Sequence, residues 1–262
     1  MLVWGVNPVA LVVGPVYFRW YALFFLAGIL GGYSIVKKIY AIEKRSPQRL
    51  RRLAAFVVVG SVIGMRLGHC LLYEPGYYLA HPTKIVTRGL YGQASHGAIV
   101  GLSIALWLYV RTHNNKEKGL GFLELLDRLG IAITFCGGCV RVGNFFNSEI
   151  VGLKTEVPWA VTFTRIDHEP RHPAQIYEAV GYFVTSAFLY QRFVRASRSR
   201  RDHSRTRRPG FLTGAGLVMC FVWRFGIEFF KENQVLFENA MWLNLGQVLS
   251  VPLILVGVAL VL

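Results

Sequence analysis

Gly130-Ile-Ala-Ile-Thr-Phe-Cys-Gly-Gly-Cys139-Val-Arg141-Val-Gly-Asn-Phe-Phe-Asn-Ser-Glu149-Ile-Val-Gly152 carries a long apolar run straight into a polar cluster. The run ends a segment, about 120–140, of membrane-spanning length. The cluster places Arg141, Asn144, Asn147 and Glu149, with Gly143 and Gly152, within twelve residues at a membrane surface. Arginine and asparagine bind a phosphate and its ester oxygens. The glycines let backbone come close to a ligand. The position points to a lipid headgroup as that ligand.

The rest of the chain fits a membrane setting. Of 262 residues, 53% are hydrophobic and 16% charged, and the mean hydropathy is +0.41. A soluble domain is rarely so apolar. A span needs roughly 20 mostly apolar residues, and seven segments qualify or nearly so: about 17–36, 53–72, 95–110, 120–140, 175–194, 210–230 and 244–262. The expected fold is an all-α integral membrane protein of seven transmembrane helices, forming a single domain over 1–262. Residues 1–18 carry no Lys or Arg ahead of the apolar run and hold Pro8 and Pro15. That argues against a cleavable signal peptide and for a short segment at the membrane surface.

Charge sets the expected topology. The net charge is +15. Seven Lys or Arg fall within 37–52 and eight within 192–208, whereas the 2–3 loop has only Lys84 and Arg88 and the 6–7 loop only Lys231. The positive-inside rule then puts the N-terminus outside and the C-terminus in the cytoplasm. The 192–208 arginines have almost no aromatic interleaving, so topology and anionic lipid explain them better than nucleic acid does.

Cys136-Gly-Gly-Cys139 has redox-motif spacing but lies inside an expected span, where small residues that let helices pack are the better reading. Gly60, Gly64 and Gly68, and Gly97 and Gly101, repeat every four residues and suit close helix contact. Residues 73–94 and 143–174 are the larger outward loops, and Val157–Phe163 reads as ending in a short strand.

That topology brings four polar clusters to one side of the membrane: Ser95-His96-Gly97, Arg141–Gly152, His172–Glu178, and Arg224 with Glu228. Charged residues at membrane depth are costly and usually mark function. Each also has a plain reading. His96 fits an interfacial histidine, Arg224 and Glu228 fit an i, i+4 pair, and Arg141 fits a snorkelling arginine. Glu178 fits a local cap or pair, and Tyr21 the interfacial aromatic belt. Arg66 and His69 need polar partners that the sequence does not identify.

At these residues the chain resembles the bacterial prolipoprotein diacylglyceryl transferases. Arg141 to Gly152 matches the family signature, with Val140 where a glycine precedes the arginine. His172-Pro-Ala-Gln-Ile-Tyr-Glu178, His96-Gly97, Arg224–Phe230 and Gly246–Ser250 match further elements in order. Cys220 stands where a tyrosine is usual, four residues before Arg224, and Lys231 where arginine is frequent.

The resemblance implies a transferase that moves the diacylglyceryl group of phosphatidylglycerol to the lipobox cysteine of prolipoproteins, forming a thioether and releasing glycerol phosphate. It implies a home in the bacterial inner membrane with the active site on the periplasmic side. It assigns Arg141 and Arg224 to the phosphate, and Asn144 and Asn147 to its ester oxygens. Glu149 would hold Arg141 or bind headgroup hydroxyls, with Gly152 and Glu228 also at the substrate. His96 would be the thiol base or a positioning group, and Tyr21 a further residue needed for activity. No cofactor or metal is expected. The sequence is silent on oligomeric state. A transporter of anionic solutes and a structural membrane subunit are the rival classes.

Overall fold

Trp20 to Ile42 (α1) is mostly apolar as far as Val36 and stays helical past Lys37 and Lys38. Ser46 opens α2 (Pro47–Leu72): its hydroxyl accepts from the Gln48 N–H at 3.2 Å, and Pro47 occupies the first turn, where no helical bond is lost. Then come α3 (Pro75–Ala80), α4 (Lys84–Thr87), α5 (Ser95–His113) and α6 (Phe122–Asn147). They are followed by α7 (Ala174–Arg198), α8 (Phe211–Ile227), a 3-10 turn (Glu228–Phe230) and α9 (Leu245–Val261). The computed structural model describes residues 2–87, 94–113, 120–198, 208–233 and 241–262, without the side chains of Ser95, His96 and His113.

Each of the seven apolar segments coincides with a helix. Among the described residues, four are long and apolar enough to cross a membrane: α1, α2, α6, and α8 with its 3-10 turn. The apolar parts of α5 and α9 are shorter. The chain is a mostly helical, multi-pass membrane protein. One boundary differs in a way that matters. The fourth segment was expected to close near residue 140, but α6 runs on through Asn147. Hydropathy marks where lipid ends, whereas the i to i−4 bonds of a helix continue into polar sequence.

Among the described residues, five short strands lie outside the helices. β1 (Leu2–Trp4) pairs in parallel with β4 (Val161–Phe163), which pairs antiparallel with β5 (Pro170–Arg171). The strand expected at the end of 157–163 is β4. β2 (Val9–Val13) and β3 (Val16–Arg19) form a hairpin in which Gly14 takes φ 56°, as the first position of a two-residue loop demands.

Met1–Ile42 and Leu126–Leu262 make one compact unit, and Glu43–Leu125 a second. In the second, α2 and α5 cross on their glycines. A Cβ on Gly64 would overlap the Gly97 carbonyl oxygen, and one on Gly97 the Gly64 carbonyl. The structure supplies the partners that the sequence left open. Arg66 is buried and donates to the carbonyls of Ile85 (2.7 Å) and Lys84 (2.8 Å), with its guanidinium 5.1 Å from the Tyr78 ring centroid. His69 lies 3.9 Å from Glu74.

In the first unit the Cys-Gly-Gly-Cys stretch packs helices, as expected. Gly28 meets Cys136 and Cys139, and Gly137 and Gly138 meet Tyr182 and Phe183. Gly210, which begins α8, has no side chain to cap it, so Asp127 of α6 does so from a distance. Its carboxylate accepts from the N–H groups of Gly210 and Thr213 and from the Thr213 hydroxyl, each at 2.8 Å. Asp127→Ala strands these donors and is expected to cost about 1–3 kcal/mol, read as a lower unfolding midpoint in detergent. Asp127→Asn, which keeps an acceptor oxygen, is expected to fall between.

Candidate active site

The last turns of α6 carry Arg141, Asn144 and Asn147 at i, i+3 and i+6, so one helix face presents all three. The helix closes with a Schellman motif: Glu149 N–H reaches the Asn144 carbonyl (3.0 Å) and Ser148 N–H the Phe145 carbonyl (3.0 Å). Ser148 and Ile150 take φ of 57° and 56°. A left-handed β-branched residue is a strained one, and such strain collects where function needs a fixed geometry. Here it aims Glu149. The Glu149 carboxylate accepts from the side-chain amides of Asn144 and Asn147, both at 3.1 Å, while Gln175 donates to its backbone carbonyl at 2.6 Å.

Phe145 and Phe146, the aromatic pair of the signature, form the floor. Phe145 packs with Val151, Val161 and Phe163, and the Trp4 ring lies 4.5 Å from Phe145 and 5.1 Å from Phe146. The N-terminal strand is thereby fixed to the end of α6. Tyr21 backs the same turn, where a Cβ on Gly143 would stand 3.2 Å from the Tyr21 Cα. Gly152 has a packing role. A Cβ there would overlap His172, and its own N–H and carbonyl bond the His172 carbonyl (3.1 Å) and Arg171 (3.1 Å).

Glu178 is the centre of the charged cluster, and it is fully buried. Its Oε2 lies 2.9 Å from Arg141 Nε, an ion pair rather than an aligned hydrogen bond. Its Oε1 meets Arg224 Nη1 at 3.4 Å and Lys231 Nζ at 3.6 Å. Glu228, also buried, takes Arg224 Nη2 at 3.2 Å and Lys231 at 2.7 Å. Tyr182 is a neighbour of Arg224. Three cations therefore share two carboxylates. Among the described residues Arg141 Nη2 has no partner, and its Nη1 makes only a long 3.5 Å contact with Asn144. Asn147 Oδ1, Ser148 Oγ and Gln175 Oε1 are buried without hydrogen bonds among those residues. Unmatched polar atoms are costly and need an explanation, and a bound polar substrate supplies one.

Arg141, Asn144, Asn147, Glu149, Arg224 and Glu228 thus gather in one unit with Tyr21. His96 begins α5 in the other unit, and its side chain lies outside the described residues. Glu178, Lys231, Tyr182 and Gln175 were not chosen from the sequence as site residues. The signal for Glu178 and Gln175 was their place in the His172–Glu178 element. Cys220 is buried.

Among the described groups outside the spans, Asp167, Arg171 and His172 are shifted from their ordinary values. Hydrogen bonds from Arg171 hold Asp167 below the usual carboxylate range. Burial pushes the His172 imidazole below 6.5. The Tyr177 hydroxyl accepts from Trp159 at 2.7 Å and lies 3.2 Å from His172 Nδ1, an arrangement that suits a neutral ring. A base with a depressed folded pKa contributes stability above its unfolded pKa, and that stability is lost as pH falls through the folded value. The unfolding midpoint is expected to drop as pH moves from 7 toward 5. In His172→Gln that slope should flatten.

Comparison with known proteins gives one answer. The family model for prolipoprotein diacylglyceryl transferase matches residues 8–262. A phosphatidylglycerol--prolipoprotein diacylglyceryl transferase of Tolumonas auensis is 42% identical over 262 residues, all of this chain and 97% of the relative. Proteins of the same name from Chloroherpeton thalassium and Bacteroides fragilis are 38% and 39% identical, covering 98% and 97% of this chain and 92% of each relative. The arginine-bearing end of α6, the buried charge cluster and this full-length likeness agree: the chain belongs to the prolipoprotein diacylglyceryl transferase family.

Proposed function

We infer that this chain transfers the diacylglyceryl group of phosphatidylglycerol to a cysteine thiol of prolipoproteins. The observation that carries this is the pair Arg141 and Arg224, held by the buried Glu178, with the outer nitrogen of Arg141 unclaimed among the described residues. Two guanidiniums fixed by one carboxylate are preorganised for a phosphodiester, and their attraction grows as the leaving phosphate gains charge.

In the transfer, the lipobox thiol loses its proton to a base and the thiolate sulfur attacks the glyceryl carbon bearing the phosphate. A sulfur–carbon bond forms as the carbon–oxygen bond breaks. The electron pair stays on the phosphate oxygen, and glycerol phosphate departs. Arg141 and Arg224 hold the phosphate, and Asn144 and Asn147, aligned by Glu149, face its ester oxygens. His96, at the start of α5, takes the thiol proton or positions the peptide. Tyr21 supports the Arg141 turn, and Gly152 shapes the backbone beside it.

All seven long helices span the bacterial inner membrane as a single domain, with the N-terminus and the active site on the periplasmic side and the C-terminus in the cytoplasm. The distribution of Lys and Arg supports that orientation.

The test is transfer from labelled phosphatidylglycerol to a lipobox peptide by purified protein. Arg141→Ala is expected to lower the rate roughly 10²–10³-fold, the cost of removing a preorganised donor. Near-normal thioether formation in both Arg141→Ala and Arg224→Ala would refute the phosphate assignment.

A further inference from the structure

One turn of α2 holds the chain on both sides of the approach to α5. Arg66, buried on that turn, donates through Nε to the Ile85 carbonyl at 2.7 Å and through Nη2 to the Lys84 carbonyl at 2.8 Å. Its guanidinium also covers the Tyr78 ring, 5.1 Å from the centroid. The carbonyl of the adjacent Met65 accepts from the Ala94 N–H at 3.1 Å. A Cβ on Gly68 would stand 2.7 Å from the Gly97 Cα and 3.3 Å from the Ala94 Cβ, so the first turn of α5 rests directly on α2 there. Residues 84–85 and 94–97 are thereby tied to residues 65–68.

These ties bear on residue 96. Ala94 directly precedes α5 and Gly97 lies in its first turn, and both are buried. The backbone of His96 lies between them, so it cannot slide along α2 while both contacts hold. Arg66 fixes the other end of the connection that leads into Ala94. Losing its two bonds releases that end and loosens the start of α5. A guanidinium at membrane depth is costly and is kept where its N–H groups are used. Two successive carbonyls suit its planar fork, whereas a lysine ammonium acts as a single point charge.

We propose that Arg66 is a positioning residue for transfer: by fixing how the chain enters α5, it sets the place of His96, which takes the thiol proton. The proposal rests on the transfer reading above and on His96 as the base. Arg66 acts on the step that makes the nucleophile. The phosphate is the charge of Arg141 and Arg224, which belong to the other unit. Loss of Arg66 should therefore slow transfer without weakening the hold on the lipid.

The experiment measures kcat, and KM for phosphatidylglycerol, with a lipobox peptide and the purified full chain. Wild type, Arg66→Met, Arg66→Lys and His96→Asn are compared, each checked by a thermal melt. Rates are read at about pH 7 and about pH 9.5, the second above the ordinary thiol pKa of about 8.5. Arg66→Met is expected to lower kcat at the lower pH about 10²-fold, the cost of misplacing a group by about 1 Å. Its KM for phosphatidylglycerol should stay within about twofold of wild type. At the higher pH the peptide thiol ionises without a base, so the deficit should shrink to within about tenfold. Arg66→Lys keeps the charge without the fork and should recover part of the rate. A folded Arg66→Met with kcat within about threefold of wild type would overturn the proposal. If only Arg66→Lys folds, the same result in it would do so. A deficit that persists at the higher pH while that of His96→Asn shrinks would also overturn it. A wild-type rate in His96→Asn, or a deficit there that pH leaves untouched, would overturn the base reading and the positioning role with it, leaving transfer intact. No thioether from folded wild-type protein would instead overturn the transfer reading.

Discussion

Glu178→Ala is expected to lower unfolding stability by about 3–5 kcal/mol, the usual cost of removing one partner from a buried ion pair. Transfer is expected to fall roughly 10³-fold, beyond the loss of one oxyanion-type donor, because the two cations proposed to hold the phosphate lose their anchor together. The carboxylate has no exposed surface and touches Arg141, Arg224 and Lys231. Without it, Arg141 loses its ion-pair partner, and Arg224 and Lys231 must share Glu228. Glu178→Gln separates charge from shape: it fills the space but does not compensate the cations. Its rate is expected to fall with the alanine variant while its unfolding midpoint stays closer to wild type. Thermal melts in detergent beside the transfer assay read both. A Glu178→Ala protein with normal midpoint and rate would remove Glu178 from the centre of the site.

Gly64→Leu is expected to destabilise the unit formed by α2 and α5, at the upper end of the about 1–3 kcal/mol typical of overpacking. Here the obstacle is backbone. The new side chain meets the Gly97 carbonyl and the Gly101 backbone, which cannot rotate away as a side chain can. The helices must part, and lipid gives them no hydrophobic drive to close again. Transfer should fall as well, because residue 97 follows His96, proposed above as the thiol base or a positioning group, at the start of α5. Gly76→Leu is the control, since nothing lies within 4 Å of a Cβ at that position. If both variants melt alike, the glycine crossing does not hold α2 to α5.

The sequence made the helices legible because each span must satisfy its backbone within itself, and that demand writes a long apolar run. Helix ends were harder. α6 continues through Arg141 and Asn147 because nothing there breaks it until Ser148 turns left-handed, and hydropathy does not register that. The pairing of β1 with β4 joins residues about 160 positions apart and has no local signature. At the site, Arg141, Asn144, Asn147, Glu149, Arg224 and Glu228 were readable from their spacing and setting. Glu178 was visible as a charge at a helix start but not as a hub, because a hub is defined by partners from α6, α8 and the 3-10 turn meeting in space. Lys231 was noticed only as a departure from the family pattern, although it is buried between two carboxylates. Arg66 found its partners in the carbonyls of a four-residue helix too short to show in any periodicity.

The Asp127 cap has a consequence for how the chain is made. A ribosome releases α6 well before α8, so the carboxylate that completes the start of α8 waits through the synthesis of more than eighty residues. Until then that carboxylate lacks the donors it bonds in the folded chain. The docking of α8 on α6 therefore satisfies both partners in one step of biogenesis.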